Sequence, residues 1–184
     1  MLEKEIINIG SKYFITIDSN IVYKKVNNVI STNIKKMKND KYITITALCI
    51  ENNGRIILSG LHQTNLIYRS SVGKTEQIQT DGIWLSPWQM FANSEFNSEI
   101  YLNTGDKIML YTDGITEAWL KGSIIGIRDP QSDIFGLEKL QEIFEKNGGL
   151  SNDKIRDEIL SELQNYETND DITMMILEKK SAIP

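Results

Sequence analysis

The chain has 184 residues, of which 40% are hydrophobic and 24% charged, with a formal net charge of −5. That length suits one globular domain with a sizeable core. The acidic balance argues against non-specific nucleic-acid binding and supplies no basic patch for a membrane surface. The longest apolar runs are strand-sized, so no membrane-spanning segment is expected, and Met1-Leu2-Glu3-Lys4-Glu5 lacks the apolar core of a signal peptide. The single cysteine, Cys49, lies in an apolar run and reads as a core residue in a reducing compartment, so the expected location is cytoplasmic.

In chain order, residues 1–19 carry one clear feature, Tyr13-Phe14-Ile15-Thr16-Ile17, which is either a short strand or an apolar helix face. Asp18 or Ser19 can cap the next element. Across 20–38, Ile21, Val22, Val26, Val29, Ile30, Ile34 and Met37 recur at helical spacing and predict an amphipathic helix with its lysines in solvent. The period then changes. Residues 42–50 read as a strand, Glu51-Asn52-Asn53-Gly54 as a hairpin turn and 55–59 as the returning strand. Segments 65–69 and 75–79, on either side of a turn at Ser71-Val72-Gly73-Lys74, extend this into an antiparallel meander. Trp84 and Trp88 anchor a loop, and 96–102 forms another strand. Residues 107–111 make a strand that runs into Asp113-Gly114, followed by a helix-compatible 116–120. After a loop over 121–133, a helix from Phe135 carries Leu137, Leu140, Ile143 and Phe144 on one face. Asn147-Gly148-Gly149 predicts its end. Ser151 caps a second helix with Ile155, Ile159, Leu160 and Leu163 inward, and 172–177 is the last strand. Runs of strands followed by runs of helices predict an α+β layered domain with mostly antiparallel strands. Residues 1–184 are expected to form a single domain with its core over 20–178.

The organising feature is Asp113, a carboxylate at the end of a strand and next to a glycine. Burying such a charge unpaired costs on the order of several kcal/mol, so it calls for a cation, a donor cluster or water. Asn169-Asp170-Asp171-Ile172-Thr173 repeats the arrangement at the start of the final strand. If that strand lies antiparallel beside the strand ending at Asp113, Asp170 and Asp113 converge on one sheet edge. Carboxylates without histidine or cysteine neighbours suit a hard cation, Mg²⁺ or Mn²⁺ rather than Zn²⁺. Aspartates at strand ends also serve as turn and capping residues, and at this point both readings stand. His62 in a turn, Arg69 on a strand, and Trp84 and Trp88 have weaker claims to a functional role than to a structural one.

Gly105-Asp106-Lys107-Ile108-Met109-Leu110-Tyr111-Thr112-Asp113-Gly114-Ile115-Thr116-Glu117-Ala118 resembles the signature of metal-dependent serine/threonine phosphatases, the PPM family, in its bacterial SpoIIE/RsbU-like branch. Asp170-Asp171-Ile172-Thr173 resembles that branch's terminal "DDxT", and Phe135-Gly136-Leu137 its step into the penultimate helices. Gly60-Leu61-His62 and Gly82-Ile83-Trp84-Leu85 resemble its glycine-histidine hairpin and "G-W-L-G" segment. The resemblance implies an αββα sandwich and a two-metal centre holding Mn²⁺ or Mg²⁺. It also implies hydrolysis of phosphoserine or phosphothreonine by metal-activated water, with Asp113 and Asp170 as metal ligands. Gly114, Asp171 and Glu117 would stand in supporting positions around them. The implied partner is a phosphoprotein resembling an anti-sigma-factor antagonist.

No segment matches the family's "GDxxD" or "GDVSGHG", whose aspartates bridge the metals, and two carboxylates cannot balance two divalent cations. The domain is therefore expected to be incomplete at its N-terminal side. It would be a fragment of a longer phosphatase, a degenerate copy acting as a regulatory or protein-interaction module, or half of a site completed by another chain such as a second copy in a homodimer.

Overall fold

The computed structural model describes residues 5–9, 12–16, 19–36, 46–59, 63–79, 97–122 and 133–181. The chain divides into two compact units, residues 1–62 with 80–101 and residues 63–79 with 102–184.

In the first unit, β1 (Glu5–Ile9) and β2 (Lys12–Thr16) form an antiparallel hairpin, so the apolar stretch around Phe14 is a strand. Helix α1 (Ser19–Lys36) packs on β3 (Ala47–Ile50) and β4 (Arg55–Ser59). Ile34 is buried, but Val29, expected on the same face, is 62% exposed. Five residues at about 100° each put it some 140° round the helix from Ile34. The hairpin turn forms as expected. The Gly54 N–H donates to the Glu51 carbonyl (3.0 Å), with Gly54 at φ 96°, where only glycine sits without strain. Strand β7 (Asn97–Tyr101) pairs with β4, giving the order β3-β4-β7 with Ile56, Leu58 and Ile100 buried. Cys49 is half-buried rather than a core residue, because β3 is an edge strand of this sheet. Arg55 donates to both Glu51 and Glu99, and the hydrogen bonds to Glu99 from Arg55 and from the Tyr101 hydroxyl hold its carboxyl down at about 2.

The second unit has a four-stranded antiparallel sheet formed by β5 (Asn65–Arg69), β6 (Lys74–Ile78), β8 (Lys107–Tyr111) and β11 (Met174–Glu178). Its order is β11-β8-β5-β6. The expected meander is thus split. The chain leaves the first sheet after β4 and returns to it at β7, and β5, buried along Asn65 to Tyr68, is an interior strand with no solvent face. Alternate residues Leu66, Tyr68, Met109 and Tyr111 meet helices α3 (Gly136–Asn147) and α4 (Asn152–Leu163) in one core with Ile115, Leu140, Phe144, Ile155 and Ile159. The Ser151 hydroxyl accepts from the Lys154 N–H and caps α4 as expected. Leu160 is exposed, since the buried stripe runs through Ile155, Ile159 and Leu163 and Leu160 lies one residue off it.

Two further expectations are corrected. Among the described residues that follow β8, the chain makes the short helix α2 (Asp113–Thr116). Trp119–Leu120, expected to be helical, is strand β9, paired with β10 (Tyr166–Glu167). Gly148 ends α3 with φ −57°, which is not a left-handed cap. It is a glycine because a Cβ there would lie 2.2 Å from the Tyr68 ring. Its carbonyl accepts from the buried Lys107 ammonium (2.6 Å), which also lies 5.9 Å from the centroid of the Tyr68 ring.

Candidate metal edge

Strand β11 lies antiparallel beside β8, with Met174 opposite Tyr111 and Glu178 opposite Lys107. The end of β8 and the start of β11 therefore share one sheet edge, which meets the condition posed for Asp113 and Asp170 to lie near each other. Thr112 fastens them. Its N–H donates to the Thr173 carbonyl (3.0 Å), its hydroxyl donates to the Asp171 carbonyl (3.0 Å), and the same hydroxyl accepts from the Thr173 N–H (2.9 Å). Thr112 occupies the N-cap position of α2, but its side chain makes no cap bond because it is committed to the neighbouring strand.

Gly114 is where the two segments touch. A Cβ there would stand 2.5 Å from the Asp171 carbonyl oxygen and 3.0 Å from that of Asp170. A contact that close excludes any side chain, so this glycine is fixed by the approach of the backbone 170–171. Asp113, half-buried, opens α2, and its carbonyl accepts from the Glu117 N–H (2.8 Å). Asp170 is exposed, and one of its carboxylate oxygens accepts from the Asp171 N–H (2.7 Å), which leaves its other oxygen for an outside partner. Gly114, Glu117, Trp119, Asn169 and Asp170 line a cleft of about 90 Å³ at this edge.

The edge places Asp113 at the end of β8 and Asp170 just before β11, and carboxylate oxygens are the donors a hard divalent cation takes. Among the described residues, no three His, Cys, Asp or Glu side chains converge as metal ligands. The donor chemistry fits Mg²⁺ or Mn²⁺, but the ligand number among these residues does not complete a site. Glu117 is exposed on the cleft, and Asp171 contributes its backbone carbonyl to the contact with Gly114. His62, Trp84 and Trp88, and the segments around them, lie outside the described residues.

Arg69 is structural. Its guanidinium donates to Glu76 (2.9 Å) and to Asp106 (3.1 Å). Asp106 reads from the sequence as a turn residue, yet it is 1% exposed and accepts from the Ser70 N–H, the Ser70 hydroxyl and the Asn103 N–H. Burial pushes its carboxyl up, but those donors together with Arg69 outweigh burial and hold it below the usual carboxylate range. The tight turn before β8 is built on this carboxylate. Thr112 and Asp106 both lie in the signature-like segment, but what each holds together was not legible, since their partners are far off in the sequence.

The family sequence model described as Stage II sporulation protein E (SpoIIE) matches residues 15–180. The chain belongs to the SpoIIE family. No curated protein matches it. Among solved structures, SpoIIE from Bacillus subtilis, as its PP2C phosphatase domain with a fragment of the regulatory domain, is similar with a TM-score of 0.65 at 18% identity. That match covers 91% of this chain and 46% of the other. A Mycobacterium tuberculosis protein with RsbU and RsbW domains gives a TM-score of 0.64 at 17% identity, covering 87% of this chain and 42% of the other. The Mn-presoaked phosphatase domain of Bacillus subtilis SpoIIE gives 0.52 at 16% identity over 99% of this chain and 86% of that domain. The SpoIIE-family chain therefore spans less than half of two of these proteins. At such identities the likeness is one of fold, the mixed helix and antiparallel-sheet α+β architecture of PP2C phosphatase domains.

Proposed function

We propose that this SpoIIE-family chain is a protein serine/threonine phosphatase module that hydrolyses phosphoserine or phosphothreonine on a signalling partner resembling an anti-sigma-factor antagonist. The reading rests on the pairing of β8 with β11, which gathers Asp113, Gly114 and Asp170 at one edge in a chain of this family. Asp113 and Asp170 would hold Mn²⁺ or Mg²⁺ through carboxylate oxygens. The chemistry such a cation would supply is polarisation of a phosphoryl oxygen and activation of a water near neutral pH. The protein's own part is to hold the two carboxylates in register. Thr112 locks the strands together, Gly114 lets the backbones meet, and Glu117 presents a further carboxylate on the cleft. None of the described helices is long and apolar enough to cross a membrane.

The expected result is Mn²⁺-dependent release of phosphate from a phosphoserine protein, reduced at least about a hundredfold by Asp113→Asn, the scale of losing a key electrostatic contact in the transition state. No release at millimolar Mn²⁺, or equal release by the variant, would defeat the proposal. The second reading, a non-catalytic regulatory module, is favoured by the lack of "GDxxD" and "GDVSGHG" matches in the sequence. It predicts a partner that binds wild type and Asp113→Asn equally well.

A further inference from the structure

A second concavity, of about 790 Å³, adjoins the metal edge and shares Glu117 with its cleft. That volume falls within the several hundred Å³ usual for ligand clefts. Its accessible apolar lining is the half-buried Ile134 and Leu137, with two core aromatics behind them. Phe135 and Tyr166 are buried and meet edge to face, with centroids 5.1 Å apart. Lys139 also lines it, but its ammonium is already engaged. It donates to the Tyr166 hydroxyl (2.9 Å), lies 5.0 Å from the centroid of the Tyr166 ring and is paired with Glu162. The remaining charged lining is Glu117, Glu138 and Glu142, all exposed and without an ion-pair partner among the described residues. Glu138 lies in the first turn of α3, where the helix dipole favours an acid. That does not account for Glu142, one turn further on, where a like charge at this spacing costs a few tenths of a kcal/mol, roughly 0.2–0.5. Nor does it account for Glu117.

We propose that this groove docks a segment of a partner protein that carries lysine or arginine together with large apolar side chains, the cations meeting Glu117, Glu138 and Glu142 and the apolar groups lying on the half-buried Ile134 and Leu137. Charge complementarity selects this occupant. The groove's own cation is neutralised by a residue outside the lining, so its uncompensated charge is negative and an acidic segment is repelled. That the occupant is a substrate, its phosphorylated residue carried toward Asp113 and Asp170, rests on the phosphatase reading. The docking itself does not.

The test uses two unphosphorylated fluorescein-labelled peptides, one of alternating leucine and lysine and one with glutamate for each lysine, titrated with the full chain in metal-free buffer and followed by anisotropy. The leucine–lysine peptide is expected to bind saturably and the leucine–glutamate peptide at least about tenfold more weakly, with the difference shrinking as salt rises. Glu138→Gln/Glu142→Gln should weaken the first peptide about tenfold, two partly screened ion pairs' worth, while its circular-dichroism melting curve reports an intact fold. Glu158→Gln/Glu167→Gln, which removes two exposed carboxylates outside the groove, should bind like wild type. Indifference to peptide charge, wild-type binding by Glu138→Gln/Glu142→Gln, or an equal loss in Glu158→Gln/Glu167→Gln would overturn the proposal. Phosphate release without peptide discrimination sinks the groove and spares the phosphatase, whereas selective peptide binding without phosphate release does the reverse.

Discussion

At the scale of single residues, the edge depends on contacts that tolerate no added atom. Gly114→Ala would drive a methyl group to 2.5 Å from the Asp171 carbonyl. The two segments must then part, at an expected cost of about 1–3 kcal/mol in urea denaturation and with loss of Mn²⁺-dependent stabilisation. Thr112→Val keeps the shape but removes a hydroxyl that bonds both Asp171 and Thr173, and should cost about 1–2 kcal/mol. Asp106 gives a pH prediction. Its carboxyl is held below the usual range in the folded chain, so its stabilisation is fully present above the ordinary aspartate value and is lost as pH falls through the lower, folded value. Asp106→Asn should lower stability at neutral pH by about 2–4 kcal/mol, because Arg69, Ser70 and Asn103 all present donors to it. It should also flatten the acid limb of a stability–pH curve. An acid limb unchanged in the variant would contradict this role.

At the scale of elements, the sequence was most readable where a pattern is local and least where a partner decides. The α4 cap at Ser151 and the turn at Gly54 were legible, whereas the antiparallel meeting of β8 and β11 could only be posed as a condition from the aspartates that flank the two apolar runs. Trp119–Leu120 was not, since two residues fit either a helix or a strand and the Tyr166–Glu167 pairing settles it. Gly148 looked like a helix stop, and its packing on Tyr68 could not be read from chain order. Gly148→Ala should therefore destabilise the second unit well beyond the usual glycine-to-alanine effect of under about 1 kcal/mol, by displacing Tyr68 and the Lys107 contact to residue 148. Thermal melts of Gly148→Ala beside Gly149→Ala, where a Cβ meets only the Tyr68 hydroxyl at 3.9 Å, would separate the two effects.

At the scale of the whole molecule, the α+β class was legible from the order of the elements and the family from the resemblance of its motifs, while the sorting of the strands into two sheets was not. Strand order depends on which runs are buried on both faces, and β5 shows that only in the folded chain. The candidate site is half legible in the same way. Asp113 and Asp170 announce themselves, but Thr112, which joins them, is an ordinary residue until β11 lies beside it. The central claim is that these two carboxylates hold a divalent cation. Titrating the full chain with Mn²⁺ while following the free-ion electron paramagnetic resonance signal tests it without relying on activity. Wild type should deplete the free signal, and Asp113→Asn and Asp170→Asn should each bind at least about tenfold more weakly, the loss of one charged ligand. Mn²⁺ bound equally by all three proteins, or by none, would contradict the account.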